Sequence, residues 1–199
     1  MAHIDYYFAT ISPYAYLAGS GLENVASKHG ASITYKPLDL MALFARTGGT
    51  PPKDRHPSRI EYRAQDLVRR AKTLEMPFHL KPAFWPTNMA PSSYAIIAAQ
   101  NAGTGDLAGL VQSVLRACWS EERDIAQDDV IRECLEKNGF DAGLADSGLL
   151  TGAETYSRNL EEGYTAGVFG APFYVVDDGA KFWGQDRLAD LDQHLAELG

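Results

Sequence analysis

Ser12 stands directly before Pro13. Serine accepts a hydrogen bond from the free amides of a first helical turn, and proline has the backbone angle that turn needs. A helix start gathers unpaired N–H groups and the positive end of the helix dipole, so it stabilises an anion, a thiolate included. The Ser12 hydroxyl has a second use at such a place, donating a hydrogen bond to a thiolate that a ligand carries in. Ser-Pro alone is equally a plain helix cap. A second segment, residues 167–173, runs Gly-Val-Phe-Gly-Ala-Pro-Phe into an apolar stretch. Pro172 there is either an edge-strand proline or a cis proline that leaves the backbone of Ala171 free to pair with an extended peptide ligand. A third segment, residues 182–188, puts Gln185 and Asp186 at a helix start. Asp is an ordinary cap there; the functional reading is capture of a ligand ammonium by Asp186, with a carboxylate held by nearby amides.

Other reactive residue types form no such constellation. The two cysteines, Cys118 and Cys134, are too few and too far apart for a disulfide framework. Both fall on apolar helix faces and read as small buried hydrophobes. The histidines at 3, 29, 56, 79 and 194 show no metal-ligand spacing, so no metal is expected. Asp66 and Arg69-Arg70 read as a solvated helix face.

The elements that must position these residues follow from periodicity. Residues 3–8 (HIDYYF) read as a buried strand. One helix is expected from Ser12 to Gly30, with Leu17, Leu22, Val25 and Ala26 on its apolar side, and a second strand over residues 33–40. That is a βαβ unit, parallel and right-handed by rule. The middle reads as helical: residues 58–74, a helix starting near Asn88, an apolar stripe from Leu107 to Trp119, a short helix around 130–135, and another from about 154 to 166. The chain then returns to a hairpin, Phe173 to Val176 and Lys181 to Trp183 around Asp177-Asp178-Gly179, and ends in a helix carrying Leu188, Leu191, Leu195 and Leu198. This layout is an α/β thioredoxin-like fold with an inserted all-helical subdomain, the first made of residues 1–40 and 167–199 and the second of residues 41–166. In that fold the reactive position is the loop from the first strand to the first helix. Redox members keep a Cys-x-x-Cys there; here Ser12-Pro13-Tyr14-Ala15 stands instead, and dithiol–disulfide exchange has no cysteine to use.

Bulk composition narrows the partners. The 199 residues are 45% hydrophobic and 22% charged, ordinary for a globular chain. A net charge of −8 argues against a phosphate-backbone partner, so no nucleic acid is expected. There is no signal-peptide pattern and no membrane-length apolar run, which predicts a cytoplasmic protein.

Taken in order, Asp5-Tyr6-Tyr7-Phe8 to Ser12-Pro13-Tyr14, Val168-Phe169-Gly170-Ala171-Pro172, and Phe182-Trp183-Gly184-Gln185-Asp186-Arg187-Leu188 resemble the 2-hydroxychromene-2-carboxylate isomerases, which belong with the kappa-class glutathione transferases. The resemblance covers nearly the whole chain. It implies glutathione as cofactor. Ser12 would contact the sulfur, Ala171 before a cis Pro172 the cysteinyl part, and Gln185 with Asp186 the γ-glutamyl end. Arg59, where relatives have a lysine, would hold the glycyl carboxylate. Trp85 and Asn88 fall near the second-substrate pocket, though Asn88 is equally a helix cap.

The implied activity is a glutathione-dependent interconversion of 2-hydroxychromene-2-carboxylate and trans-o-hydroxybenzylidenepyruvate in aromatic catabolism, by a homodimer acting on a small aromatic substrate. Two alternatives share the sequence: a kappa-like transferase or peroxidase acting on another electrophile, and a redox-inactive thioredoxin-like binding protein.

Overall fold

The computed structural model describes residues 1–199. Strand β1 (His3–Phe8) lies inside a four-stranded sheet of order β2-β1-β3-β4, with β2 at Ser32–Pro37, β3 at Phe173–Val176 and β4 at Lys181–Trp183. β1 pairs in parallel with β2, from His3 opposite Ser32 to Phe8 opposite Pro37, and antiparallel with β3, Ile4 opposite Val176. Being central, β1 is covered on both faces, which is why it shows an apolar run where an edge strand would alternate. Ile4, Tyr6, Tyr7 and Phe8 are all buried. Tyr6 stacks on Phe8 at 4.7 Å and on Tyr174 at 5.3 Å, tying β1 to β3.

Two of the expected elements are divided differently. The single helix from Ser12 to Gly30 is a short α1 (Pro13–Tyr16) and a separate α2 (Gly21–His29). Gly19 takes φ +55 between them, and its freed carbonyl accepts a 2.7 Å bond from Gln112 Nε2. A glycine tolerates that left-handed angle, and the bond from a distant helix satisfies the broken ladder. The second strand stops at Pro37, short of 40, because the Asp39 carboxylate caps a new helix, α3 (Leu40–Thr47), by accepting from Met41 N at 2.9 Å and Ala42 N at 3.0 Å. A side-chain cap there outweighs the alternating pattern of the sequence.

The following helices are α4 (Pro57–Thr73), α5 (Ala90–Ala102), α6 (Leu107–Trp119), α7 (Asp128–Lys137), α8 (Leu144–Ser147) and α9 (Leu149–Ala166). After β4 a 3-10 turn, Gln185–Arg187, leads into α10 (Leu188–Leu198), which packs on α2. The run of helices is stitched to the sheet through polar side chains. Gln100 of α5 bonds both backbone groups of Tyr35, at 2.8 and 3.1 Å, much as another strand would, and Asn159 of α9 donates to the Pro37 carbonyl at 2.9 Å. The edge of β2 is thereby closed to further pairing. No helix is long and apolar enough to cross a membrane.

Candidate active site

Ser12 caps α1, and its hydroxyl accepts from Ala15 N at 3.3 Å. The same hydroxyl donates at 3.3 Å to the carbonyl of Ala171, a residue 159 positions away. The Ala171–Pro172 peptide is cis. Two segments singled out separately in the sequence therefore meet at one oxygen. Both contacts are long, against ~2.7–2.8 Å usual for an O–H donor and ~2.9–3.0 Å for an N–H donor, so little is lost when the hydroxyl proton turns from Ala171 to a stronger acceptor. The Ser12 side chain lies low, with only 4% of the residue exposed. The Ala171 N–H makes no backbone hydrogen bond, although the residue sits beside the start of β3. Gly170 brings this loop against Trp183: a Cβ there would lie 2.4 Å from the indole nitrogen.

Trp85 reaches the same loop. Its indole Nε1 donates at 3.2 Å to the carbonyl of Ile11, the residue before Ser12, and its ring packs 5.6 Å from Trp119. Asn88 is exposed and its Oδ1 accepts from Ala90 N at 3.1 Å, so its side chain organises the entry to α5. Below it, the Met89 carbonyl receives the hydroxyls of Thr10, Ser92 and Ser93, all buried. This hydroxyl cluster fixes the segment around Trp85 against the loop that carries Ser12.

At the other end of the site, Gly184 turns the chain at φ +111 into the Gln185–Arg187 turn. The Asp186 carboxylate lies 3.2 Å from Arg187 Nη2 and 3.8 Å from Arg70 Nη2. Arg70 in turn lies 3.6 Å from Asp66, whose other oxygen accepts from the Tyr14 hydroxyl at 3.3 Å. Tyr14, Asp66, Arg70 and Asp186 thus form one chain of alternating polar groups linking α1, α4 and the turn before α10. The solvated-face reading is corrected for Asp66, whose side chain is only 19% exposed, while that of Arg70 is 43% exposed. The sequence did carry a signal for this. Positions 59, 63, 66 and 70 follow one another by four, three and four, which places them along one face of a helix. Arg59 lies on that face but is exposed, in the first turns of α4.

Burial, opposed in part by Arg63 and Arg55 and reinforced by Asp66, pushes the Tyr14 hydroxyl up to about 12, so it remains a neutral donor. Burial likewise raises the Cys118 and Cys134 thiols to about 12 and about 11. Neither supplies a thiolate near neutral pH. A sulfur nucleophile at Ser12 would have to come from a ligand.

Residues 3–196 match the family described as the DSBA-like thioredoxin domain. This chain belongs to that family. Within the DSBA-like proteins it is 31% identical over 197 residues, 98% of each chain, to a protein of Sphingobium xenophagum named 2-hydroxychromene-2-carboxylate isomerase. It is 27% identical over 216 residues to glutathione S-transferase kappa 1 of Caenorhabditis elegans, covering all of this chain and 94% of that one. A solved structure of a 2-hydroxychromene-2-carboxylate isomerase superposes with a TM-score of 0.79 at 26% identity, over 98% of this chain and 95% of the other. This DSBA-like domain keeps the loop and the cis proline of the fold and has serine where a reactive cysteine would stand.

Proposed function

We propose that the protein is a glutathione-dependent isomerase interconverting 2-hydroxychromene-2-carboxylate and trans-o-hydroxybenzylidenepyruvate in aromatic catabolism. The observation that carries this reading is the Ser12 hydroxyl, loosely held between Ala15 N and the Ala171 carbonyl at a helix start with no cysteine. It is a donor awaiting an anion.

Glutathione fits the residues present. The unpaired Ala171 N–H and the Ala171 carbonyl offer an extended peptide both halves of a backbone pair. Asp186 and Asp66 suit the ammonium of the γ-glutamyl group and Arg70 its carboxylate, while Arg59 suits the carboxylate at the other end. Glutathione, when bound, supplies a thiolate that adds to a conjugated double bond and leaves again once that bond has rotated. The chain's own work is to hold that sulfur ionised. Ser12 turns its proton from Ala171 to the sulfur, and the first amides of α1 add their dipoles. Trp85 donates to the Ile11 carbonyl and so holds the loop that carries Ser12.

A transferase acting on another electrophile would use the same residues, and the kappa-class relative favours keeping it as the second reading. The two differ in what becomes of glutathione. With the chromene carboxylate as substrate, ultraviolet absorbance is expected to show equilibration only when glutathione is present, with no loss of free thiol over many turnovers. Glutathione consumed one for one would establish the transferase, and a rate independent of glutathione would overturn both.

A further inference from the structure

Arg55 and Arg63 are half-buried, and neither has a carboxylate within 4.0 Å. The other basic residues without a carboxylate partner, Arg59 and Arg69 among them, are exposed, whereas the half-buried Arg123 and Arg70 find Glu133 and Asp66. The Arg55 Nε donates to the Thr50 carbonyl at 2.8 Å, and its guanidinium lies 6.0 Å from the centre of the Phe44 ring. The Arg63 guanidinium lies 5.8 Å from the centre of the Tyr14 ring. Besides burial, the charge of Arg55 acts on Arg63 as repulsion, and that of Arg59 acts likewise on Arg55. Asp66, the acidic group on the same helix face, is taken up by Tyr14 and Arg70. Partly desolvated like charges gathered without a counter-charge are unfavourable unless an anion completes them.

The shape of that anion follows from the walls. Guanidinium groups bind a planar carboxylate through paired N–H donors; the buried Phe44 ring backs Arg55, and the partly exposed Tyr14 ring offers flat apolar surface beside it. Tyr14 lies just after Ser12, so an acid held there extends toward the reacting position. We propose that Arg55 and Arg63, with Phe44 and Tyr14, form a binding site for the carboxylate of an aromatic acid, separate from the residues that hold glutathione. That this acid is the second substrate rests on the isomerase reading; that the site takes an aromatic carboxylate does not.

Calorimetric titration of the protein with trans-cinnamate and with its neutral isostere cinnamamide tests this without turnover. The acid is expected to bind about ten- to a hundred-fold more tightly than the amide, as the loss of charge-assisted hydrogen bonds implies. The Arg55→Gln/Arg63→Gln variant should lose that preference, and Arg63→Lys should keep part of it, with a far-ultraviolet spectrum confirming the fold of each. Glutathione, titrated separately, should bind the double variant within about three-fold of the wild type. Equal affinity of the wild type for acid and amide, including no binding of either, would overturn the site. So would a ten-fold loss of glutathione affinity in the double variant with the cinnamate preference intact, which would assign the arginines to glutathione. Wild-type protein that prefers cinnamate but binds no glutathione would leave the carboxylate site standing and remove the isomerase reading instead.

Discussion

At Ser12 a cap and a donor share one oxygen, and substitution separates them. Ser12→Ala removes the bond from Ala15 N and the bond to Ala171, while the α1 amides stay in place. If the hydroxyl stabilises the thiolate, turnover should fall by roughly one to two orders of magnitude, the equivalent of about 1.5–3 kcal/mol for a hydrogen bond to a charged group. Glutathione affinity should change little, since the proposed contacts hold the tripeptide mainly by its ends. Loss of the cap should cost about 1 kcal/mol of stability, read separately by urea unfolding. Steady-state rates at saturating glutathione make the check: an unchanged rate would reduce Ser12 to a helix cap.

At the level of elements, α4 matters most, because one of its faces joins the two ends of the site. Asp66 holds Tyr14 from α1 and Arg70, and Arg70 reaches Asp186 in the turn before α10. Partly exposed ion pairs of this kind contribute only about 0–1 kcal/mol to stability. Asp66→Asn should therefore leave the unfolding midpoint nearly unmoved. If glutathione binds as proposed, Asp66→Asn should weaken its binding about ten-fold, because a charge beside the γ-glutamyl ammonium would be lost. Titration of the variant with glutathione and with a des-γ-glutamyl peptide makes the comparison: the drop should appear for the first and be absent for the second. The existence of α4 was legible in sequence, since Pro57 and a long polar run announce it. Its inward face was legible only as a spacing, 59, 63, 66 and 70, because charged residues on a helix look alike whether they meet water or an opposing helix start. Only the meeting of α4 with α1 and the turn at Gly184 distinguishes Asp66 from Glu61, which is exposed.

Across the whole molecule, the carboxyl of Glu23 on α2 gives stability a pH dependence opposite in sign to that of Asp124, Glu133, Glu161, Asp178 and Asp192, whose partners hold their pKa values down. The Tyr35 hydroxyl donates to one of its oxygens at 2.8 Å, and the other oxygen is buried without a partner. Burial raises the Glu23 pKa in the folded chain, against which the Tyr35 hydrogen bond acts. A carboxyl whose folded pKa is raised favours folding below its unfolded value of about 4.3 and loses that contribution as pH climbs through the folded value. Glu23→Gln keeps the shape and an acceptor for Tyr35 without the charge. Its stability should match wild type near pH 4 and exceed it by about 1 kcal/mol near pH 8. Urea midpoints across that range test the sign; a variant that is weaker at pH 8 would show that the charge stabilises the fold.

The sequence by itself determined the parts with local causes. The aromatic and β-branched run of residues 3–8, the Ser-Pro helix start, the three-and-four spacing from Leu107 to Trp119 and the Asp-Asp-Gly turn each follow from short-range sterics and hydrogen bonding, and each appears where those forces place it. The order of these parts was enough to imply a thioredoxin-like sheet. Tertiary structure decided what depends on partners distant in the chain. Gly19 breaks the first helix because Gln112 bonds its carbonyl, and Asp39 turns the tail of a predicted strand into a helix. The Ala171 carbonyl meets Ser12 because the antiparallel pairing of β1 with β3 brings the two loops together. Arg55 comes to lie beside the Phe44 ring where the 48–56 loop meets α3, and Arg63 beside the Tyr14 ring where α4 meets α1. A hydrogen bond or a repulsion between residues far apart leaves no period in the sequence, and only the folded chain makes it a site.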